Sequence, residues 1–373
     1  MIPRLLSDIV KNKLHRGKAI ILSGARQVGK TTLLKQIFQH DTDVLWINGD
    51  ELDVQTLFED ASATRLAAII ANNKVIIIDE AQRIENIGLR LKLITDNLPD
   101  VQLIATGSSS FDLANKINEP LTGRKWEYRM FPLSFHEMVN YHGLLQEKRM
   151  LKHRLIYGYY PDVVSHVGEE KEILKHLSDS YLYKDVLMWE KIQKPEKVLK
   201  LLQALAFQIG SQVSYHELGQ ICGLDSKTVE KYINILEQAY VIFKLGSFSR
   251  NLRNELKSSK KFYFYDNGVR NALIANFNLA ESRSDMGALW ENFIIAERIK
   301  HIHYASKWVN YWFWRTKDQK EIDFIEESDG QIRAYEFKWN SGAKYKRPTQ
   351  FLNSYQDSSF QLIHPDNFEE FVM

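Results

Sequence analysis

The chain has 373 residues, 44% of them apolar and 26% charged, with a formal net charge of +2. Those fractions belong to a globular protein long enough for two or three domains, each with its own core, and with so small a net charge bulk electrostatics do not by themselves announce nucleic acid. A single cysteine, Cys222, excludes an internal disulfide framework; it suits a reducing compartment and reads as a small buried apolar residue.

The opening stretch MIPRLLSDIVKNKL puts Leu5, Leu6, Ile9, Val10 and Leu14 on one side of an amphipathic helix. It is too charged for a secretory signal, and no apolar run approaches membrane-spanning length, so the expectation is a cytoplasmic protein with no membrane partner. The strand Ala19, Ile20, Ile21, Leu22 then leads into GARQVGKTT, Gly24 to Thr32, which fits the phosphate-cradling pattern G-x-x-x-x-G-K-[ST] in full. Gly24 and Gly29 allow the tight turn that presents backbone N–H groups to phosphate, and a helix opening at Lys30 adds its positive end. Lys30 would reach the β and γ phosphates of ATP or GTP, the Thr31 hydroxyl would ligate Mg2+, and Thr32 closes the motif.

Strand and helix patterns alternate beyond the loop. VLWIN (Val44 to Asn48) precedes an apolar-periodic stretch from about Val54 to Ala71, VIIID (Val75 to Asp79) precedes a helix near Ile87 to Asn97, and VQLIATG runs from Val101 to Gly107. Such alternation argues for a mostly parallel sheet covered on both faces. The strand ending in Asp79 and Glu80 supplies two carboxylates with different work: Asp79 to hold Mg2+ through its water shell, Glu80 to orient and deprotonate the attacking water. Thr106, Gly107, Ser108, Ser109 and Ser110 would emerge at the same edge, and Ser108 is the chosen sensor of the γ-phosphate. Arg124, in LTGRKWEYRM, can supply positive charge to the transition state, in its own chain or in a neighbour's.

The set GARQVGKTT, VIIIDEAQ, ATGSSS, LTGRKWEYRMFPLSFHE and YGYYPDVV is similar to that of prokaryotic AAA-type ATPases whose carboxyl half is a domain of unknown function. The resemblance covers most of the chain. It implies ATP binding, slow or switch-like hydrolysis and ring or dimer formation, with Arg124 as the arginine finger. Family members usually show two glycines before the aromatic and proline of the last landmark, whereas here Gly158 is followed by Tyr159 and Tyr160.

From Glu137 to about Glu190 the chain reads as a helical lid and linker whose aromatics, among them Tyr141, Tyr157, Tyr159, Tyr160, Tyr181, Tyr183 and Trp189, are expected to pack. Val198 to Lys244 then offers three helices and a strand: VLKLLQALAFQIG ending at Gly210, SYHELGQICG closed by Gly223, and LDSKTVEKYINILEQA capped by Asp225. Val229, Ile233 and Leu236 share one face of the third helix, while Ser226, Lys227, Thr228 and Lys231 hold its amino end and exposed side, where a helix-turn-helix puts its base-contacting residues. VIFKL would open a wing, and Lys244, Arg250, Arg253, Lys257, Lys260 and Lys261 against Glu255 make a basic patch that points to DNA. A winged helix used only for packing or oligomerisation stays open beside that reading.

GALWENFIIAERI is a helix with Glu291 near its start, NYWFWRT a strand, and EIDFIEE and IRAYEFKW two further strands joined at Asp329 and Gly330. Alternation puts Glu336 and Lys338 on one face, beside Asp323. Asp323 and Glu336 can bind a hard divalent cation while Lys338 steadies or deprotonates a water, the working set for metal-assisted phosphodiester cleavage. From GALWENFIIAERI onward the arrangement resembles the PD-(D/E)XK nuclease superfamily, with Glu321 and Ile322 where proline usually precedes the aspartate. Salt-bridged strands and an inactive nuclease core are the rival readings.

The expected fold class is α/β: an AAA-type P-loop domain over 1–136, a helical lid over 137–195, a winged helix-turn-helix over 196–261 and a small α/β nuclease-like domain over 262–373. The expected function is ATP-coupled DNA binding with possible metal-dependent cleavage, by a homo-oligomer; the alternative is an ATP-dependent regulatory switch whose nuclease-like domain is inactive. ATP and Mg2+ are the expected cofactors.

Overall fold

The apolar runs of the first third become parallel strands of one sheet. The computed structural model describes residues 2–108, 117, 120–189, 194–249, 259–316 and 319–373, with side chains for all of these except 180–189. The chain divides into two units, Met1–Pro132 with Gln238–Tyr240, and Leu133–Glu237 with Val241–Met373. No described helix is long and apolar enough to cross a membrane.

In the first unit, β1 (Ala19–Gly24), β2 (Val44–Asn48), β3 (Val75–Asp79), β4 (Gln102–Gly107) and β5 (Lys125–Met130) form a sheet in the order β2-β3-β4-β1-β5, every pairing parallel. Helices α1 (Leu5–Lys11), α2 (Lys30–Ile37), α3 (Leu52–Glu59), α4 (Ala63–Ile70) and α5 (Ile87–Asn97) accompany it. Ile21, Ile76, Ile78, Leu103 and Ala105 pack with Phe58, Leu66, Ile70, Ile87, Leu91 and Ile94. The alternate residues Ile20, Leu22, Ile77 and Ile104 face the other way and are also buried, so the near-continuous apolar strands follow from burial on both sides. Each such side chain contributes about 1.5–3 kcal/mol. The single stretch expected from Val54 to Ala71 is two helices, because the Ser62 hydroxyl accepts the Arg65 N–H (3.3 Å) and starts α4 afresh. Strand order places β1 at a point where the connections change direction, and a ligand crevice is expected outside the carboxyl ends there.

The second unit begins with helices Phe135–His142, Leu144–Tyr157, Pro161–Ser165 and Glu170–Trp189. Ser134 and Glu137 close the first of these with a capping box. The YGYYPDVV turn is explained by Asp266. Its carboxylate accepts the Tyr159 N–H (2.6 Å) and caps helix Asn267–Leu273 through the Val269 N–H (3.0 Å). Gly158 has φ +74°, and a Cβ there would lie 2.2 Å from the Asp266 carboxylate. One glycine is therefore required at 158, while Tyr159 and Tyr160 are buried, as packing residues should be, and Tyr141 is exposed instead.

Helices Pro195–Phe207, Tyr215–Cys222 and Ser226–Gln238 follow, with β6 (Gln212–Val213), β7 (Ile242–Gly246) and β8 (Lys260–Phe264) in an antiparallel sheet of order β6-β8-β7. Asp225 caps the third helix, accepting the Lys227 and Thr228 N–H groups at 3.0 Å each. Cys222 is buried, and burial pushes its thiol up in pKa, which keeps it protonated and unreactive. The long helix Met286–Tyr304 precedes a four-stranded sheet of order β12-β11-β10-β9, built from β9 (Asn310–Arg315), β10 (Glu321–Ser328), β11 (Gln331–Phe337) and β12 (Ser358–Ile363). Asp329 and Gly330, both at positive φ, make the two-residue hairpin turn between β10 and β11. This smaller mixed sheet is separate from the parallel sheet of the first unit.

Candidate functional site

The carboxyl edge of the parallel sheet gathers the nucleotide residues. A Cβ at Gly24 would lie 2.2 Å from the Met130 carbonyl oxygen of β5, so β1 can leave the sheet there only through glycine. Gly29, at φ +96°, takes the left-handed backbone that opens α2. Lys30 is buried, and its ammonium donates to the Gly24 and Ala25 carbonyls at 2.9 Å each, lying across the inside of its own loop. Thr32, two positions further along α2, is exposed.

The two carboxylates are wired to the loop and to β4. The Thr31 hydroxyl donates to one Asp79 oxygen at 2.6 Å, and the Thr106 hydroxyl donates to the other. Thr106 also accepts the Glu80 N–H (3.2 Å), so one buried hydroxyl at the end of β4 fixes both acids. Glu80 stands in the left-handed region at φ +49°, which costs a residue other than glycine about 1–2 kcal/mol. Its Oε2 accepts the Ser108 hydroxyl (3.1 Å) and the Gln82 side-chain amide (2.5 Å). Ser108 therefore positions Glu80, and Thr106 takes the place beside Asp79. Ser109 and Ser110 lie outside the described residues. Thr31 and Asp79 fit Mg2+, which takes one or two protein oxygens and otherwise keeps water and substrate phosphates.

Arg124 is not brought to this group. Its carbonyl accepts the Ala19 N–H at the start of β1 (3.0 Å), and its guanidinium donates to Asp96 (2.6 Å) at the surface. With β1 and β5 parallel, that is the amino edge of the sheet, about 17 Å from Gly24 at 3.3–3.4 Å per residue.

The three carboxyl-domain residues do come together. The Lys338 ammonium bonds Glu336 at 2.7 Å, and the Phe337 N–H donates to Asp323 at 2.8 Å. Sequence reasoning missed the other members. Lys261 is only 1% exposed, and its ammonium bonds Glu291 at 3.2 Å and also bonds Glu321. Tyr263 donates its hydroxyl to the same Glu291 oxygen at 2.6 Å. Burial, then the charges of Glu291 and Glu336, push the Asp323 carboxyl well above its ordinary pKa against the pull of Lys261. Burial would lower Lys338, but its bond to Glu336 and the charges of Glu336, Asp323 and Glu291 raise it on balance. Lys338 is thus held as an ammonium.

One oxygen each of Glu291, Asp323 and Glu336 already accepts a protein N–H or O–H, and two ammonium groups supply the positive charge. No group of three His, Cys, Asp or Glu among the described residues is arranged to hold a metal. The expected basic patch is also different in the structure. Lys261 is in this cluster and not on the surface; Lys260 lies 3.7 Å from Glu230, and Lys244 lies 3.8 Å from Glu237. Arg250, Arg253 and Lys257 lie outside the described residues.

Residues 16–139 match the family model for an AAA domain, residues 148–280 a domain of unknown function (DUF8612), and residues 286–367 another domain of unknown function (DUF4143). Among solved structures, the Walker-type ATPase of Pyrococcus abyssi has a TM-score of 0.51 at 15% identity, covering 74% of this chain and 96% of that one. The first third is an AAA-type P-loop domain. An uncharacterized protein of Methanocaldococcus jannaschii is 23% identical over 408 residues, covering 99% of this chain and 89% of its own length. One from Mycobacterium tuberculosis is 24% identical over 361 residues, covering 95% and 78%.

Three residues of the AAA-type domain's site lay beyond the motif. Gln82 braces Glu80 as described. Gly49 lets β2 end against the Glu80 carbonyl, where a Cβ would lie 2.5 Å from its oxygen. Arg4 bonds the phosphate loop from α1. Gln82, in VIIIDEAQ, was visible in sequence as the polar residue two beyond Glu80.

Proposed function

We propose that the protein is an ATP-hydrolysing AAA-type switch. The observation that carries the reading is the unbroken chain of hydrogen bonds from Thr31 through Asp79 and Thr106 to Glu80, which ties the phosphate loop to both acids. In this reading Lys30 exchanges the loop carbonyls for substrate phosphate, Asp79 and Thr31 hold Mg2+, and Glu80 takes the proton of the attacking water. Arg124, remote from its own loop, is assigned to a neighbouring copy's nucleotide. The test is thermal unfolding with and without Mg-ATP. A ligand at 100 times its Kd stabilises by about 2.7 kcal/mol, so the wild type and Arg124→Ala should melt higher with Mg-ATP while Lys30→Ala should not. An ATP shift that survives in Lys30→Ala removes the loop from the reading, and loss of the shift in Arg124→Ala removes the proposed role of that arginine.

The same reading takes the regulatory form over the nuclease form, since the carboxyl cluster is balanced by lysines. DNA binding is the finer proposal. The three helices and the β6-β8-β7 sheet have the element order of a winged helix, and Ser226, Lys227 and Lys231 are exposed on the third helix. An affinity for DNA that does not fall with salt contradicts it, because neutralising Z phosphates gives a log–log slope of about −0.9Z.

A further inference from the structure

We infer that Arg4 is a positioning residue of the nucleotide site, one that aims the Gly29 N–H at phosphate from behind. Arg4 stands at the cap of α1 and is 8% exposed. One arm of its guanidinium donates to the Val28 carbonyl at 2.6 Å, and the other donates to the Phe131 carbonyl at 2.7 Å. Val28 itself is fully buried.

The consequence follows from peptide geometry. The Val28 carbonyl and the Gly29 N–H belong to one planar trans unit, so they point in opposite directions. Pinning the carbonyl on the guanidinium turns the Gly29 N–H away from it, which in this inference is toward phosphate. Gly29 sits at φ +96°, where glycine has freedom that no other residue has, so this peptide would otherwise flip at little cost. The bond to a full positive charge also polarises the peptide and makes its N–H a better donor, as linked hydrogen bonds do. The second arm takes its reference from the end of β5, whose Met130 carbonyl already closes on Gly24. Arginine has the rigid fork that spans two carbonyls; a lysine ammonium would reach one of them with less constraint.

This rests on the ATP reading of the loop and deepens it. An N–H that meets phosphate equally in ground and transition states changes KM and leaves kcat nearly unaltered. The experiment is steady-state ATP hydrolysis and equilibrium binding of a fluorescent ATP analogue by wild type, Arg4→Gln, Arg4→Lys and Lys30→Ala, with the folded fraction of each fixed by unfolding curves. Loss of a charge-assisted hydrogen bond predicts a KM and Kd about 10- to 100-fold higher in Arg4→Gln, a smaller rise in Arg4→Lys, and a kcat within about twofold of wild type. A merely structural Arg4 would lower the folded fraction and leave KM unchanged. Wild-type KM and Kd in Arg4→Gln, or in Arg4→Lys should Arg4→Gln not fold, overturn the inference. Equal ATP binding by wild type and Lys30→Ala overturns the nucleotide reading instead.

Discussion

Glu80→Gln is expected to slow ATP turnover by about 10²–10⁴-fold, the usual worth of a positioned general base, while nucleotide stays bound. The substitution keeps the shape of the side chain and an oxygen that can accept the Ser108 hydroxyl, so the left-handed backbone at position 80 and the bond from its N–H to Thr106 have no reason to change. What it removes is basicity. Asp79 keeps Thr31 and Thr106, so the proposed Mg2+ position is preserved. Chromatography of the nucleotide recovered from the variant after incubation with Mg-ATP should show ATP, where the wild type shows ADP. Unchanged turnover with bound nucleotide would remove Glu80 from its role.

Lys261→Met is expected to destabilise the chain by roughly 3–5 kcal/mol at neutral pH, because it breaks a buried ion pair from one side only. Methionine fills a similar volume, so the cost falls on Glu291, which loses its ammonium partner, on Glu321, which keeps only Arg315, and on Asp323, which loses the nearby positive charge. The pH dependence has a definite sign. Burial, Glu291 and Glu336 raise the Asp323 carboxyl above its ordinary value, so the folded chain binds that proton more tightly than the unfolded chain. The resulting stability is fully present below the ordinary carboxylate pKa and is lost as pH rises through the raised one. Removing Lys261 raises it further, so the defect in urea unfolding should be larger at pH 8 than in mild acid. Wild-type stability at both pH values would show that the lysine is not what balances the cluster.

Much of the first unit was legible because nucleotide chemistry constrains contiguous residues. Gly24, Gly29, Lys30 and Thr31 are read from one short run, and the acids at 79 and 80 from a single strand end. Alternation likewise placed Glu336 with Lys338, and Asp329 with Gly330 marked the hairpin. The parts that escaped are those made by distance and burial. Arg4 is 24 residues from Val28 and 127 from Phe131, and nothing local announces an arginine that bonds carbonyl oxygens. Lys261 lies in a run of basic residues that reads as a surface patch, since a charge count carries no information about burial. Thr106 and Ser108 are offered by the same strand end, and only the sheet shows that Thr106 bonds the Asp79 carboxylate and the Glu80 N–H while Ser108 bonds the Glu80 carboxylate. The amino-edge position of Arg124 follows from the direction of β5, which sequence periodicity does not give.

The central claim is that this loop and these acids hydrolyse Mg-ATP. Its most direct test is phosphate release from ATP at saturating Mg2+, measured side by side for wild type and Lys30→Ala with matched folded fractions. Steady release by the wild type and none above background by the variant is the expected result; equal release by both, or none by a wild type that binds ATP, would contradict it.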